Sequence, residues 1–411
     1  MIPVNRVFVL ALIISGAFCV LALPVAAAPD ESAPQTADEI HTAAQEILRS
    51  EILHYCSAKY LRQDISHFSA DQLSDAVENY PEYPRQITDT TGTTITIVKP
   101  LNRIVAYNFH AIGALDAEDL VVGVANSALQ DGCVVPAIYD KVNIGGGGPY
   151  EPDFEMILAC KPDALLTYTE LGPGTDFFEK RMPEGVPVIR LDCIRPWSLV
   201  TEMNKLGYLI NRTEQSTAYE EWHNHWMDEI ERRLATIPDE KKARVFVDIW
   251  STSFTDRNNE RRTAGGGQWY SYGIYATDGG GINVAEDLTN PQGTVDIEWL
   301  AQQNPDVILG VSYTGSYDSD DMSEVSTQYN ELLSHPALQE VPAVKNKRIY
   351  ILSYRYTNGL TYPAARAQVA KWFYPAQFAD IDPSAIHQEF VTGFLGSSFD
   401  VTEHGVFSYP D

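Results

Sequence analysis

The sequence predicts an α/β protein made of two similar Rossmann-like lobes, joined by one long interlobe helix, with a ligand cleft between them. Three observations carry this. The chain states one phrase twice: Asp153, Glu155, Pro162 and Asp163 return at the same offsets as Asp296, Glu298, Pro305 and Asp306. Each copy reads as a short helix, a Pro-Asp stop and a short apolar strand. Proline cannot continue a helix past its last turn, and an unbroken apolar run suits a strand buried on both faces. Around each copy, apolar strands alternate with helical stretches, the pattern of a parallel sheet wrapped by helices. Between the copies, residues 214–237 read as one helix, with Ala218, Trp222, Trp226, Ile230 and Leu234 as its apolar stripe.

In chain order, residues 1–28 carry an export signal: a short basic start, an apolar run from Val7 to about Leu23, and small residues to Ala28. Cleavage after Ala27 fits better than after Ala28, which Pro29 follows. The run also approaches the length of a retained anchor, and both readings stay open. Phe18 stands where a lipobox before Cys19 wants Gly, Ala or Ser. Residues 29–84 form a helical extension, with Ser69 to Gln72 a helix-start signal. The first lobe spans 85–213. It opens with a hairpin turning at Thr91-Gly92, continues with strands at Arg103–Asn108 and Leu120–Val124 and a short helix at Ala111–Ala117, and ends with a strand at Val186–Leu191 and a helix near Pro196–Gly207. The second lobe, 238–396, has strands at Ala243–Trp250 and Arg348–Leu352 and helices at Ala364–Phe378 and Pro383–Phe394. Residues 397–411 read as a loose tail.

The net charge of −27 argues against nucleic acid or anionic lipid as partners and suits solubility in a salty or extracytoplasmic setting. Past the signal, Cys56, Cys133, Cys160 and Cys193 remain. An even number in an exported chain allows disulfides in three pairings, their spacing matches no zinc pattern, and Cys160 reads as a small buried hydrophobe.

Residues 85–396 resemble the helix-hinged (class III) substrate-binding proteins of ABC importers, which collect ferric siderophores, cobalamin or haem. The resemblance rests on Ile87–Ile97, Arg103-Ile104-Val105, both Glu-to-Pro-Asp phrases, Gly279–Val284, and His335–Leu338 ahead of Val344–Arg348. The helical extension is similar to one preceding this domain in some archaeal members. The resemblance implies an exported monomer that is no enzyme, holds no intrinsic cofactor, and carries an iron complex or corrinoid. Its partners would be an ABC permease and, through the permease, an ATPase. It further implies that Glu155 and Glu298, one per lobe, pair with permease arginines; charge-assisted pairs supply direction and on-rate. Each Glu also suits a helix N-terminus by the macrodipole alone.

Ligands of open α/β lobes lie beyond the carboxyl ends of the strands. That rule selects Asn108, Phe109 and His110, then Gly145 to Tyr150, then Tyr168, Thr169 and Glu170 in the first lobe. In the second it selects Trp250 and Ser251, Gly265 to Tyr270 including Trp269, then Tyr313, Tyr354, Arg355 and Tyr356. Aromatics with one arginine suit a bulky, partly apolar, anionic ligand. His110 reads either as a ligand to haem iron or corrinoid cobalt or as a loop hydrogen-bonder. His223 and His225 lie two apart on a helix and face different sides. The glycine runs complete no nucleotide motif, and Asp318–Glu324 lacks the spacing of a calcium loop and reads as solvated. Asn211-Arg212-Thr213 fits an N-glycan acceptor. The rivals are a haem or free-metal receptor, the latter wanting three or four converging ligands, and a secreted hydrolase, whose nucleophile elbow Gly310-Val-Ser312-Tyr-Thr does not complete.

Overall fold

The computed structural model describes Tyr80 and residues 82–169, 172–250, 259–265, 272–288 and 293–410. The signal, and the helical extension up to residue 79, lie outside the described residues. In the first lobe the hairpin strands β1 (Arg85–Thr88) and β2 (Thr94–Ile97) precede β3 (Ile104–Ala106), α1 (Phe109–Gly113), β4 (Val121–Val124), β5 (Val142–Asn143), α2 (Phe154–Ala159), β6 (Ala164–Thr167), β7 (Val188–Arg190) and α3 (Leu199–Leu209). Strands β5-β4-β3-β6-β7 form a parallel sheet in that order. After α4 (Thr213–Leu234) come β8 (Arg244–Trp250), β9 (Glu260–Thr263), α5 (Ile274–Asp278), β10 (Ile282–Asn283), β11 (Gly293–Asp296), α6 (Ile297–Gln303) and β12 (Val307–Ser312). The chain closes with α7 (Ser323–Ser334), α8 (Pro342–Lys345), β13 (Ile349–Ser353), α9 (Tyr354–Thr357), α10 (Tyr362–Phe373), α11 (Pro383–Gly393) and β14 (Ser408–Tyr409). The second sheet runs β10-β8-β12-β13-β14, parallel except for β14.

The repeated phrase has a structural reason, identical in both lobes. Lys161 and Asn304 end α2 and α6 with φ of 47° and 51°, the left-handed turn that stops a helix. Proline follows, and then the aspartate clamps the neighbouring strand. Asp163 accepts the backbone N–H of Asn102 (2.7 Å) and Arg103 (3.0 Å) at the start of β3, and Asp306 accepts that of Arg244 (3.0 Å) at the start of β8. Those arginines return the favour to the helix ends: Arg103 donates to the carbonyl of Lys161 (3.1 Å) and Arg244 to that of Gln303 (2.9 Å).

Side-chain alternation splits the core. Val105 and Leu165 in the first lobe, and Phe246, Ile308 and Ile351 in the second, line the outer sheet faces. Ile104, Ala106, Val245, Val247, Leu309 and Val311 join one core that runs through both lobes. Helix α4 lies across that junction. Near its start Ser216 packs so closely on α3 that a Cβ on Gly207 would sit 2.6 Å from its Oγ. Asn204 of α3 donates to Glu220 (2.7 Å). Towards its end Glu231 pairs with Arg366 of α10 (2.6 Å) and Arg233 with Asp380 (2.6 Å). The buried face is Ser216, Tyr219, His223, Ile230 and Leu234; Trp222 and Trp226 flank it half-buried and Ala218 is exposed. The expected stripe was a strict four-residue row, which drifts around a helix of 3.6 residues per turn.

Two further expectations need correction. The last residues are no loose tail: β14 pairs antiparallel with β13, Val401 and Val406 are buried, and Phe407 packs on His387 with ring centroids 4.5 Å apart. The acidic loop is not simply solvated either. Asp320 accepts the N–H of Gly405 (2.7 Å) and meets His404 Nδ1 (3.1 Å), pinning that tail. Cys160 and Cys193 are free thiols, Cys160 buried as expected; Cys56 lies outside the described residues.

Candidate ligand cleft

In both sheets the strand order reverses around the first strand, between β3 and β6 and between β8 and β12. These are the switch points beyond which α/β lobes bind ligands. The lobes meet beside them. Gly359 N–H donates to the carbonyl of Ile194 (3.1 Å), Tyr219 Oη to that of Leu360 (3.1 Å), and Cys133 Sγ to that of Tyr317 (3.4 Å).

The first-lobe wall is fixed from beneath. Arg190 is 1% exposed and binds both Glu179 oxygens (2.8 and 3.2 Å) and the carbonyls of Tyr168 (2.9 Å) and Pro173 (3.3 Å). That fork holds the loop after β6 in one shape. Asp192 accepts Thr169 N–H (2.7 Å), and Tyr168 Oη donates to the carbonyl of Tyr107 (3.2 Å). Asn108 is buried and donates to the carbonyl of Asp192 (2.6 Å); it ties two strand-end loops together instead of facing solvent. Phe109 is 2% exposed and belongs to the core. His110 sits half-buried in α1, and Tyr150, at the end of the glycine run, is exposed.

The second-lobe wall carries three tyrosines in mutual contact. Tyr272 and Tyr313 share a hydrogen bond between hydroxyls (3.0 Å). Ring centroids lie 6.1 Å apart for Tyr272 and Tyr313, 5.7 Å for Tyr272 and Tyr354, and 5.4 Å for Tyr313 and Tyr354, distances at which aromatic rings attract edge-to-face or offset. Burial pushes the phenols of Tyr272 and Tyr354 up, so both stay protonated; at Tyr354 the nearby Arg195 guanidinium opposes the shift. Arg195, from the first lobe, also lies over Trp197, 5.9 Å from its ring centre. A cation from one lobe thus lies near enough to the Tyr354 phenol of the other to act on it.

Tyr313 and Tyr354 stand where the strand-end rule put them, and Arg355 is exposed on α9. Tyr356 turns inward: it is 5% exposed and packs on His387 (4.9 Å) and Phe407 (5.6 Å). For Trp250 only the backbone is described, pairing with Ser312. Glu170, Ser251, Trp269 and Tyr270 lie outside the described residues. Sequence reasoning missed Tyr272 and Arg195. The same rule applied beyond β7 reaches Arg195, and Tyr272 stands two residues past the aromatic pair it selected. Ser312 is buried, its Oγ 2.8 Å from Thr314 Oγ1. Among the described residues, no three His, Cys, Asp or Glu side chains converge where they could hold a metal ion.

The two glutamates occupy matching places. Glu155 and Glu298 are the second residues of α2 and α6, behind the N-cap aspartates Asp153 and Asp296, and both are exposed. Asp153 caps its helix by accepting Met156 N–H (3.0 Å).

Residues 112–356 match the periplasmic binding protein family. No curated protein sequence matches the chain. Among solved structures, the chain is similar to a TroA-like periplasmic binding protein, FepB, of Veillonella parvula (TM-score 0.63, 20% identity, 79% of this chain and 99% of that one). It is also similar to the molybdate periplasmic binding protein MolA of Haemophilus influenzae (0.59, 18%, 77% and 99%) and to Helicobacter pylori CeuE in a nickel–histidine complex (0.58, 15%, 78% and 99%). The family match covers more than half of the chain, and these neighbours share its fold: the chain belongs to the periplasmic binding protein family, in a two-lobed form with the long helix α4 across the junction.

Proposed function

We propose that this protein captures an iron complex of the siderophore type, or a corrinoid, in the interlobe cleft and delivers it to an ABC permease. The observation that supports the cargo class is the cluster of Tyr272, Tyr313 and Tyr354 in mutual contact, with the Arg195 guanidinium near enough to Tyr354 to act on its phenol. Neutral phenols donate hydrogen bonds and present ring edges, while a guanidinium attracts an anionic rim. A bulky complex with apolar surface and acidic groups matches both; a bare metal ion wants imidazoles and carboxylates. Binding a preformed complex leaves the metal's own ligands in place, so the cleft recognises a shape and a charge. His110, in α1 just past β3, is a candidate metal ligand if the cargo is haem or a corrinoid. Glu155 and Glu298, equivalent on two lobes, are the proposed docking carboxylates, working with the permease and, through it, the ATPase. The protein acts as a monomer outside the cytoplasm, freed by signal cleavage or tethered by its N-terminus.

The test is a thermal-shift panel on the mature protein with ferric siderophores, corrinoids, haem, molybdate and free metal ions. Ligand at about a hundred times its dissociation constant adds roughly 2.7 kcal/mol, a shift of a few degrees for a protein of this size. A shift with metal complexes that Arg195→Gln and Tyr313→Ala weaken supports the cargo class. A shift with bare ions or molybdate alone overturns it. Docking is read separately: uptake by cells carrying Glu155→Ala/Glu298→Ala falls while cargo binding holds, and unchanged uptake removes the docking role.

A further inference from the structure

We infer that Asn211 is a site of N-linked glycosylation, in a turn that the fold leaves open for it. Asn211-Arg212-Thr213 is the one Asn-x-Ser/Thr triplet in all 411 residues. It forms the corner between α3 and α4, with Asn211 in the left-handed turn at φ 60°. Asn211 and Thr213 are both exposed. The amide is oriented from one side only: the buried Arg85 donates its Nη2 to Asn211 Oδ1 (3.1 Å), and the same nitrogen reaches Glu82 (3.1 Å). With the oxygen engaged, the amide nitrogen is turned to the other side. Among the described residues neither Asn211 Nδ2 nor Thr213 Oγ1 makes a hydrogen bond. Helix α4 starts without a side-chain cap, so the Thr213 hydroxyl has no structural task. The left-handed turn and the bond from Arg85 account for an asparagine here. They do not account for a hydroxyl residue two positions later.

The place suits a bulky group. Helix α3 starts beyond the carboxyl end of β7 and runs back, so its last turn and Asn211 lie at the opposite end of the lobe from Tyr168 and Arg195. Tyr208, 42% exposed and beside Arg85, offers a ring face next to the amide. In the reaction, Nδ2 attacks the anomeric carbon of a lipid-phosphate-linked oligosaccharide. The new N–C bond replaces the sugar C–O bond, whose electron pair leaves with the lipid phosphate, and one amide proton passes to a base of the transferase. Nothing is oxidised or reduced.

Export alone is needed, so the test is independent of cargo. The full chain is exported from cells with an active oligosaccharyl transferase, verified on a co-expressed glycoprotein, and the exported pool is analysed by intact mass and peptide sequencing. A glycan on the Asn211 peptide is expected in the wild type and in Thr213→Ser, and absent in Asn211→Gln and Thr213→Ala, with the melting temperatures of unmodified wild type, Thr213→Ser and Thr213→Ala alike. Bare Asn211 in the wild type, beside a modified reporter, overturns the assignment. So does a glycan that survives Thr213→Ala.

Discussion

His387 makes the second lobe acid-sensitive, and the size of the effect follows from its surroundings. It is 2% exposed on α11. One nitrogen meets Tyr317 Oη at 2.6 Å, and its ring packs on Tyr356 (4.9 Å) and Phe407 (4.5 Å). Burial alone drives its pKa down to about 3, against an ordinary value near 6.5. The imidazole therefore stays neutral in the folded protein while the unfolded chain protonates. The stability this position contributes is complete above pH 6.5 and is lost as pH falls from there towards 3. At pH 5 the unfolded chain gains about 2 kcal/mol of proton binding that the folded one lacks. The perturbation is His387→Gln, read as urea midpoints at pH 7 and pH 5 for both proteins. With a slope of about 3 kcal/mol per molar, the wild-type midpoint falls by roughly 0.7 M more than the variant's. The double difference cancels every other titrating group and any cost of the substitution that does not depend on pH. Equal falls in the two proteins refute the buried, neutral imidazole.

Two more perturbations test the architecture. Ending the chain after Gly396 removes β14, Val401, Val406 and Phe407; at about 1.5–3 kcal/mol for each buried apolar side chain, the urea midpoint drops sharply and the acid effect of His387 shrinks with its cover gone. A truncated protein as stable as the whole would restore the loose tail. Asp163→Ala loses two charge-assisted bonds to backbone N–H and Asp306→Ala loses one, so the first costs about 2–3 kcal/mol and the second about half as much by denaturant unfolding; a reversed order contradicts the clamp.

How far the sequence could be read depended on what kind of work each residue does. The Pro-Asp phrase was legible because it does backbone work: Asp163 and Asp306 hold strand starts through main-chain N–H groups, so residue type and spacing both matter. The buried strands were legible for the same reason, since an unbroken apolar run admits few other places. The tail was not, because β14 is two residues long and carries no periodicity of its own; only its partner strand makes it a strand. At the cleft, the strand-end rule finds loops and not side-chain directions. Tyr354 and Tyr356 stand two residues apart on α9, and one joins the tyrosine cluster while the other enters the core. Phe109 failed likewise: an aromatic just past a strand is as easily the first buried residue of the next helix as a cleft wall.

The shared core bears on how such a receptor grips its cargo. The inner faces of both sheets and the α4 residues Tyr219, Ile230 and Leu234 form one continuous apolar cluster, and α4 is tied to α3 at one end and to α10 at the other. Separating the lobes by a wide hinge motion would expose that cluster, at about 25 cal/mol for each Å² of apolar surface. The wide closure of proteins whose lobes are joined by flexible strands is thereby costly here. Adaptation to ligand falls instead to the loops beyond the strand ends. Glu155 and Glu298, on helices packed against the two sheets, then keep a nearly fixed separation. A permease that reads both carboxylates would recognise the receptor by that spacing, and would sense cargo through the cleft loops rather than through a large change in the distance between the two contacts.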